Sequence, residues 1–82
     1  MPVLVITRVL SSGSRGNEVK NLQTLLARDK SVYPEGMANG VFGPKTRAAV
    51  QRFQKKYGIA KPGDTGYGVV GPKTRKMLQQ IQ

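Results

Sequence analysis

Apolar residues recur at helical spacing soon after the start of the chain. Val19, Leu22 and Leu26 follow one another at intervals of three and four residues, which is the spacing of residues on one helix face. This pattern predicts a helix over residues 17–29, with Asn17 capping its first turn. The serine- and glycine-rich segment before it is typical of a turn.

Two further amphipathic helices are predicted to begin at prolines, because proline fits the first position of a helix. One extends over residues 44–57, and Gly58 fits the position just after its end. The other begins at Pro72, and a glycine-rich loop precedes each. The predicted inner faces comprise Thr46, Ala49, Val50, Phe53 and Tyr57 in the second helix, and Thr74, Met77, Leu78 and Ile81 in the third.

The second and third helices, with the loops before them, are near copies of each other. Residues 40–54 and 68–82 are offset by 28 residues and are identical at 9 of 15 positions. Repeated units bury their apolar faces against one another, so the copies are expected to share one core. In all three predicted helices, two apolar anchors three residues apart are followed directly by a glutamine, at Gln23, Gln54 and Gln82.

These elements predict an all-α fold: a small compact three-helix bundle with an internal helix-loop repeat and a short extended N-terminal arm. We assign residues 1–8 to the arm or a boundary segment, and residues 9–82 to the domain. The apolar run from Val3 to Ile6 fits an edge strand, an arm packed on the core or a boundary. It is far shorter than the roughly 20 apolar residues that span a bilayer, and it lacks the flanking features of a signal peptide.

Composition limits the chemistry available to the chain. Its 82 residues include no Cys and no His, so the commonest metal ligand and the commonest general base are absent. Nothing in the sequence positions two of the four acidic residues as a catalytic pair. We therefore expect no enzymatic activity, no cofactor and no metal site. The four acids are Glu18, Asp29, Glu35 and Asp64.

Positive charge is concentrated in the second half of the chain. The formal net charge is +10, of which residues 36–82 carry +8. Such an asymmetry favours an anionic partner, although a basic surface also serves solubility alone. Cations in a helix's first turn oppose its dipole by about 0.3–1 kcal/mol each. The repeated helix starts nevertheless carry four, which favours an anion site at Lys45, Arg47, Lys73 and Arg75.

The spacing of glycines, aromatic residues and apolar anchors matches a known family. Three segments carry the match: Leu10-x-x-Gly13-x-x-Gly16-x-x-Val19-x-x-Leu22-Gln23, Asn39-Gly40-x-Phe42-Gly43-x-x-Thr46-x-x-Ala49-Val50-x-x-Phe53-Gln54, and Gly66-Tyr67-Gly68-x-Val70-Gly71-x-x-Thr74-x-x-x-Leu78. Over residues 9–82 this pattern resembles the three-helix peptidoglycan-binding domains that stand beside bacterial cell-wall hydrolases. The chain departs from the family pattern at Asn39, where an aspartate is usual, and in its longer loops.

The candidate site combines the repeated helix starts with the glycine-rich loops. We expect ligand contacts from Asn39 and Gly40 in the first loop and from Tyr67 in the second, in addition to the four cations. Glutamine amides at the border of the core are expected to hold loop backbone groups. The residues assigned structural roles are Gln23, Phe42, Gly43, Gln54 and Gly71, with Phe42 as an apolar plug equivalent to Val70.

The resemblance implies a non-catalytic module that binds peptidoglycan, through its glycan strand or its stem peptide, and targets an attached or partner enzyme to the wall. It implies a monomer in the cell envelope or outside the cell, with the export signal not in this chain. Two alternatives stay open. The charge fits a small basic nucleic-acid-binding domain, although no recognition-helix pattern supports it, and the fold also fits a structural module of an envelope protein.

Overall fold

The computed structural model describes residues 3–82. Its element order is α1 (Asn17–Leu26), α2 (Pro44–Lys56) and α3 (Pro72–Gln80), and its Cα radius of gyration is 11.1 Å. In place of strands, the described residues contain two isolated bridges, Leu10 with Val70 and Arg15 with Val41. The predicted all-α three-helix bundle is confirmed.

The core lies where the inner faces of the helices meet the loops between them. Val19 and Leu22 of α1 and Val50 and Phe53 of α2 are the buried anchor pairs that the pattern predicted. In α3 only the first anchor is buried, because Ile81 lies just beyond the last helical residue and is 39% exposed. Loop residues complete the core, among them Leu10, Val32, Phe42 and Val70.

The boundaries of α1 differ from the prediction at both ends. Gly16, at φ +123°, takes the N-cap position, and Asn17 is already helical and makes no side-chain cap. The helix ends at Leu26 instead of residue 29. There the backbone tightens into i→i−3 hydrogen bonds, and the carboxylate of Asp29 accepts hydrogen bonds from the N–H and hydroxyl of Ser31, which turns the chain.

The end of α2 matches the predicted glycine stop. Tyr57 is the C-cap, and Gly58 follows at φ +67°. The Gly58 N–H donates to the Lys55 carbonyl, and the Ile59 N–H donates to the Gln54 carbonyl at 2.8 Å. This pair of bonds is the Schellman arrangement that satisfies the last carbonyls of a helix. Tyr57 is 37% exposed and packs against Phe53 with the two rings tilted by 49°, so it borders the core instead of entering it.

The N-terminal arm packs on the domain. Leu4 and Ile6 are half-buried against the core, whereas Val3 and Val5 are exposed. The alternation is that of an extended segment with one face inward. The run from Val3 to Ile6 is therefore an arm packed on the core, which is one of the three interpretations of this run; Met1 and Pro2 lie outside the described residues.

Candidate functional site

The buried amide of Gln23 holds the loop before α2. Its Oε1 accepts a hydrogen bond from the Gly40 N–H at 2.9 Å. Its Nε2 donates to the Val41 carbonyl and to the Thr46 hydroxyl, both at 3.0 Å, and lies 3.1 Å from the Asn39 Oδ1. One side chain on α1 thereby fixes both the turn and the first residues of α2.

Gln54 repeats this arrangement on the loop before α3. Its Oε1 accepts from the Gly68 N–H at 2.8 Å, and its Nε2 donates to the Val69 carbonyl at 2.9 Å and the Thr74 hydroxyl at 3.2 Å. The carbonyl of Gly66, at 3.0 Å, takes the place that the Asn39 side chain occupies in the first loop. The two loops are thus held in equivalent conformations by equivalent bonds.

The third glutamine of the pattern holds the arm. Gln82 Oε1 accepts from the Leu4 N–H and Gln82 Nε2 donates to the Leu4 carbonyl, both at 2.8 Å. Asn21 donates to the Val5 carbonyl at 3.0 Å. The arm covers the groove between α1 and α3 and leaves a cavity of only about 20 Å³ there.

A shallow cleft lies at the start of α2, and we call it the first cleft. Its volume is about 330 Å³, which falls at the lower end of the range of ligand pockets. Part of its wall comes from the segment after α1, namely Tyr33 and Met37. The remaining lining residues are Asn39, Val41, Gly43, Pro44, Lys45 and Thr46.

A matching cleft, the second cleft, lies at the start of α3. It measures about 340 Å³ and includes the repeat equivalents of five first-cleft residues: Val69, Gly71, Pro72, Lys73 and Thr74. The rest of its lining, Gln54, Ile59, Ala60 and Gly66, has no repeat equivalent in the lining of the first cleft, and Tyr33 and Met37 of the first cleft have none in the second. The internal repeat therefore duplicates a cleft as well as a helix.

The glycines in the two clefts are free of any backbone requirement. Gly43 has φ −105° and Gly71 has φ −91°, both at the N-cap of a helix and both in the extended region that any residue adopts. A Cβ atom added at either position meets no atom within 4 Å. By contrast, Gly40 and Gly68 have positive φ values, +78° and +84°, and are buried.

The four cations of the predicted anion site are not brought together. Lys45 lines the first cleft and Lys73 the second. Arg47 lies against the second loop, where a Cβ added at Gly68 would come within 3.2 Å of Arg47 Cγ. Arg75 lines the groove beneath the arm. Residues two apart on a helix point to opposite sides, so each Lys–Arg pair is divided between two surfaces.

The aromatic residues also differ in their availability. Tyr33 is buried, and its hydroxyl donates to the Met37 carbonyl at 2.7 Å, so its ring is not exposed for stacking on a ligand. Tyr67 is half-buried and lines neither cleft. Phe42 and Val70 are both fully buried plugs. Sequence reasoning missed Val41 and Val69 as cleft residues, although their identical place in the repeat was a usable signal.

The two acidic residues with shifted pKa values, Glu18 and Asp29, have structural roles and line neither cleft. The pKa of Glu18 is lowered, chiefly because its carboxylate accepts hydrogen bonds from the Thr7 hydroxyl and N–H at 2.6 and 2.7 Å. The pKa of Asp29 is lowered to about 2 by the Lys56 ammonium and by Ser31. Within residues 3–82, no three acidic side chains converge as a metal site would require.

Comparison with known proteins identifies a family. A family model described as "Putative peptidoglycan binding domain" matches residues 15–78. The crystal structure of the SleB N-terminal domain is similar to this chain, with a TM-score of 0.76 and 35% identity, and the alignment covers 94% of this chain and 96% of that one.

Curated relatives match over part of their length. The zinc D-Ala-D-Ala carboxypeptidase of Streptomyces albus G is 46% identical over 57 residues, which are 70% of this chain and 22% of that protein. The N-acetylmuramoyl-L-alanine amidase CwlA of Bacillus subtilis is 39% identical over 61 residues, which are 68% of this chain and 22% of the amidase. This chain spans about a fifth of the length of these relatives.

Proposed function

Because the chain belongs to the peptidoglycan-binding domain family, we propose that it is a non-catalytic module that binds the peptidoglycan of the bacterial cell wall. The observation that carries the proposal is the family match over residues 15–78, joined to the similarity with the SleB N-terminal domain over nearly the whole chain. The resemblance inferred from the sequence motifs is confirmed by the same match.

The two clefts are the ligand site in this proposal. They are the concave surfaces formed by the repeated loops, and Lys45 and Lys73 supply positive charge beside them. Asn39 adds an amide to the first cleft, whereas Gly40 is buried and contributes through the turn it forms. Arg47, Tyr67 and Arg75 stay outside both clefts and are expected to contribute less to binding.

Catalysis is assigned to another domain or a partner. The chain has neither Cys nor His, and Glu18 and Asp29 are engaged in holding the arm and the turn after α1. The relatives named carboxypeptidase and amidase are several times longer than the matched region. We propose that this module keeps such an enzyme on the wall, where even weak binding raises its effective concentration. The place of action is the cell envelope or the exterior.

Cosedimentation with purified peptidoglycan sacculi tests the proposal. We expect the protein in the pellet at moderate salt, and we expect Lys45→Gln with Lys73→Gln to shift it toward the supernatant. Duplex DNA tests the nucleic-acid alternative, for which affinity should fall steeply as salt rises. Protein that stays entirely in the supernatant with sacculi, yet is retained by DNA, would overturn the proposal. Failure to bind either would favour a structural module.

A further inference from the structure

The two clefts share the residues that recur in the repeat and differ in the walls that do not. Valine, glycine, proline, lysine and threonine occupy equivalent positions at 41 and 43–46 in the first cleft and at 69 and 71–74 in the second. The walls differ, with Tyr33 and Met37 in one cleft and Ile59 and Ala60 in the other. Because the shared residues are identical in the two clefts, we expect both clefts to bind the same chemical group.

Packing does not explain every repeated residue. The glutamine clamps account for Gly40, Gly68 and the two threonines, because these supply the bonded N–H and hydroxyl groups. Gly43 and Gly71 have ordinary φ values and open space around a Cβ, so neither conformation nor packing needs glycine there. A side chain at either position would start at the cleft wall. Glycine therefore keeps both clefts open.

The lining of the clefts indicates the group that fits. Valine and proline offer small apolar surfaces in each cleft, and a lysine stands beside them. A methyl group next to a carboxylate matches this pair of features. In peptidoglycan, the alanine at the free end of a stem peptide carries both groups. The carboxyl group of muramic acid is not free, because it forms the amide bond to the peptide.

We propose that the first and second clefts are two equivalent subsites, each of which binds the carboxylate-bearing alanine end of a stem peptide. This inference rests on the proposed function and deepens it, because it makes a single domain bivalent. Two stem peptides of one polymer would engage the two clefts together. The second contact is then intramolecular, and avidity from such linkage reaches about 10²–10⁴-fold over one site.

Aspartate substitutions at Gly43 and Gly71 test ligand binding separately from the stability of the fold. Gly43→Asp and Gly71→Asp each place a good N-cap at a helix start that lacks a side-chain cap, so stability should hold or rise. The same carboxylate would repel a ligand carboxylate. Gly43→Asn and Gly71→Asn are neutral variants of the same shape, and Thr65→Asp places the same charge on an exposed loop residue that lines neither cleft.

The first experiment is an NMR titration of the 82-residue chain with a synthetic stem peptide that ends in D-alanine. We expect shifts of the Val41 and Val69 amides and a stoichiometry of two peptides per chain. Gly43→Asp should abolish the Val41 response and leave that of Val69, Gly71→Asp should do the reverse, and the asparagine variants should lose less. A single site, or equal binding of the C-terminally amidated peptide or of an N-acetylglucosamine oligomer, would overturn the inference.

The second experiment is cosedimentation of the same variants with sacculi. Each single aspartate variant should lose about 100-fold in apparent affinity because avidity is lost, and the double variant should fail to pellet, while Thr65→Asp should behave as wild type. If the wild type pellets and no aspartate variant changes this, the two-subsite inference fails and the wall-binding function stands. If the wild type does not pellet, the proposed function itself fails.

Discussion

At the scale of single residues, the two buried glutamines are the most consequential side chains of the fold. Each side-chain amide bonds one backbone N–H and one threonine hydroxyl; Gln23 also bonds one backbone carbonyl, and Gln54 bonds two. All buried side-chain N and O atoms of residues 3–82 have a hydrogen-bond partner. The buried polar side chains Gln23, Thr46, Gln54 and Thr74 form two pairs, in which each glutamine bonds one threonine.

Replacing either Gln23 or Gln54 with leucine should strongly destabilise the fold. Gln23→Leu and Gln54→Leu are each expected to lower the free energy of unfolding by roughly 3 kcal/mol, because every unpaired buried polar group costs about 1–3 kcal/mol. Urea denaturation measures this loss. The control is Gln80→Leu at an exposed position of α3, which should stay within about 0.5 kcal/mol of wild type. Equal effects at positions 23 and 80 would contradict the clamp role.

Glu18 gives the arm a pH dependence. Its pKa is lower in the folded chain than in the unfolded one, so its contribution is complete above the unfolded pKa and is lost as pH falls through the folded pKa. We expect the hydrogen-exchange protection of the Thr7 amide to decrease over this acidic range.

The matched variants for this prediction are Glu18→Gln and Glu35→Gln. The first should show reduced Thr7 protection already at neutral pH, with little further change in acid. The second removes an exposed carboxylate in the loop after α1 and should leave the profile intact. Thr7 protection that is independent of both pH and Glu18 would show that the arm is held without Glu18, by its apolar contacts and by its hydrogen bonds with Asn21 and Gln82.

At the scale of elements, the sequence predicts that the three helices exist more accurately than it predicts the residues at which they begin and end. Proline at the first position and glycine after the last fix both ends of α2, because each acts through its own backbone geometry. The limits of α1 depend on contacts that no local pattern reveals. Asn17 loses the cap position to Gly16, whose carbonyl accepts from the Lys20 N–H, and the Asp29–Ser31 turn ends the helical path early.

The glycine stop of α2 offers a direct test of backbone geometry. Gly58→Ala should cost about 1–2 kcal/mol, because an L-residue is strained at φ +67°. No atom lies within 4 Å of an added Cβ there, so the loss is conformational alone. Gly66→Ala is the control, since Gly66 has no positive φ and equal space around it. In thermal denaturation, the melting temperature of Gly58→Ala should fall clearly, and that of Gly66→Ala should stay close to wild type.

The sequence indicated where the two clefts lie, but not how the cations of the predicted site are distributed around them. The repeat indicated the helix starts and the glycine-rich loops, and both clefts lie there. The distribution of Lys45, Arg47 and Arg75 over separate surfaces depends on helix direction and on the position of the arm. The arm itself was undecided, because Val3 to Ile6 form a pattern too short to distinguish a strand from a packed segment.

At the scale of the whole molecule, the arm and the clefts lie on different surfaces. The arm packs against α1 and the end of α3, and none of its residues lines either cleft. None of the helices in the described part of the chain is long and apolar enough to cross a membrane. The two clefts are open beside the packed arm.

Deletion of residues 1–8 should separate stability from binding. We expect the three helices to remain by circular dichroism, while the free energy of unfolding falls by roughly 2 kcal/mol because Leu4 and Ile6 lose their half-buried contacts. Sacculus binding of the folded variant should equal that of the full chain. A truncated protein that keeps its helices yet no longer pellets with sacculi would place part of the ligand site on the arm.

The glutamines also determine how the chain can be assembled. Gln23 secures the loop that leads into α2, Gln54 secures the loop that leads into α3, and Gln82 returns to Leu4 ahead of α1. Each helix-loop unit therefore depends on a side chain of a different unit, and the last closes the circle onto the first. In stacked repeats each unit contacts only its neighbours. Because the last unit of this chain also bonds the first, the chain should fold in a single cooperative step.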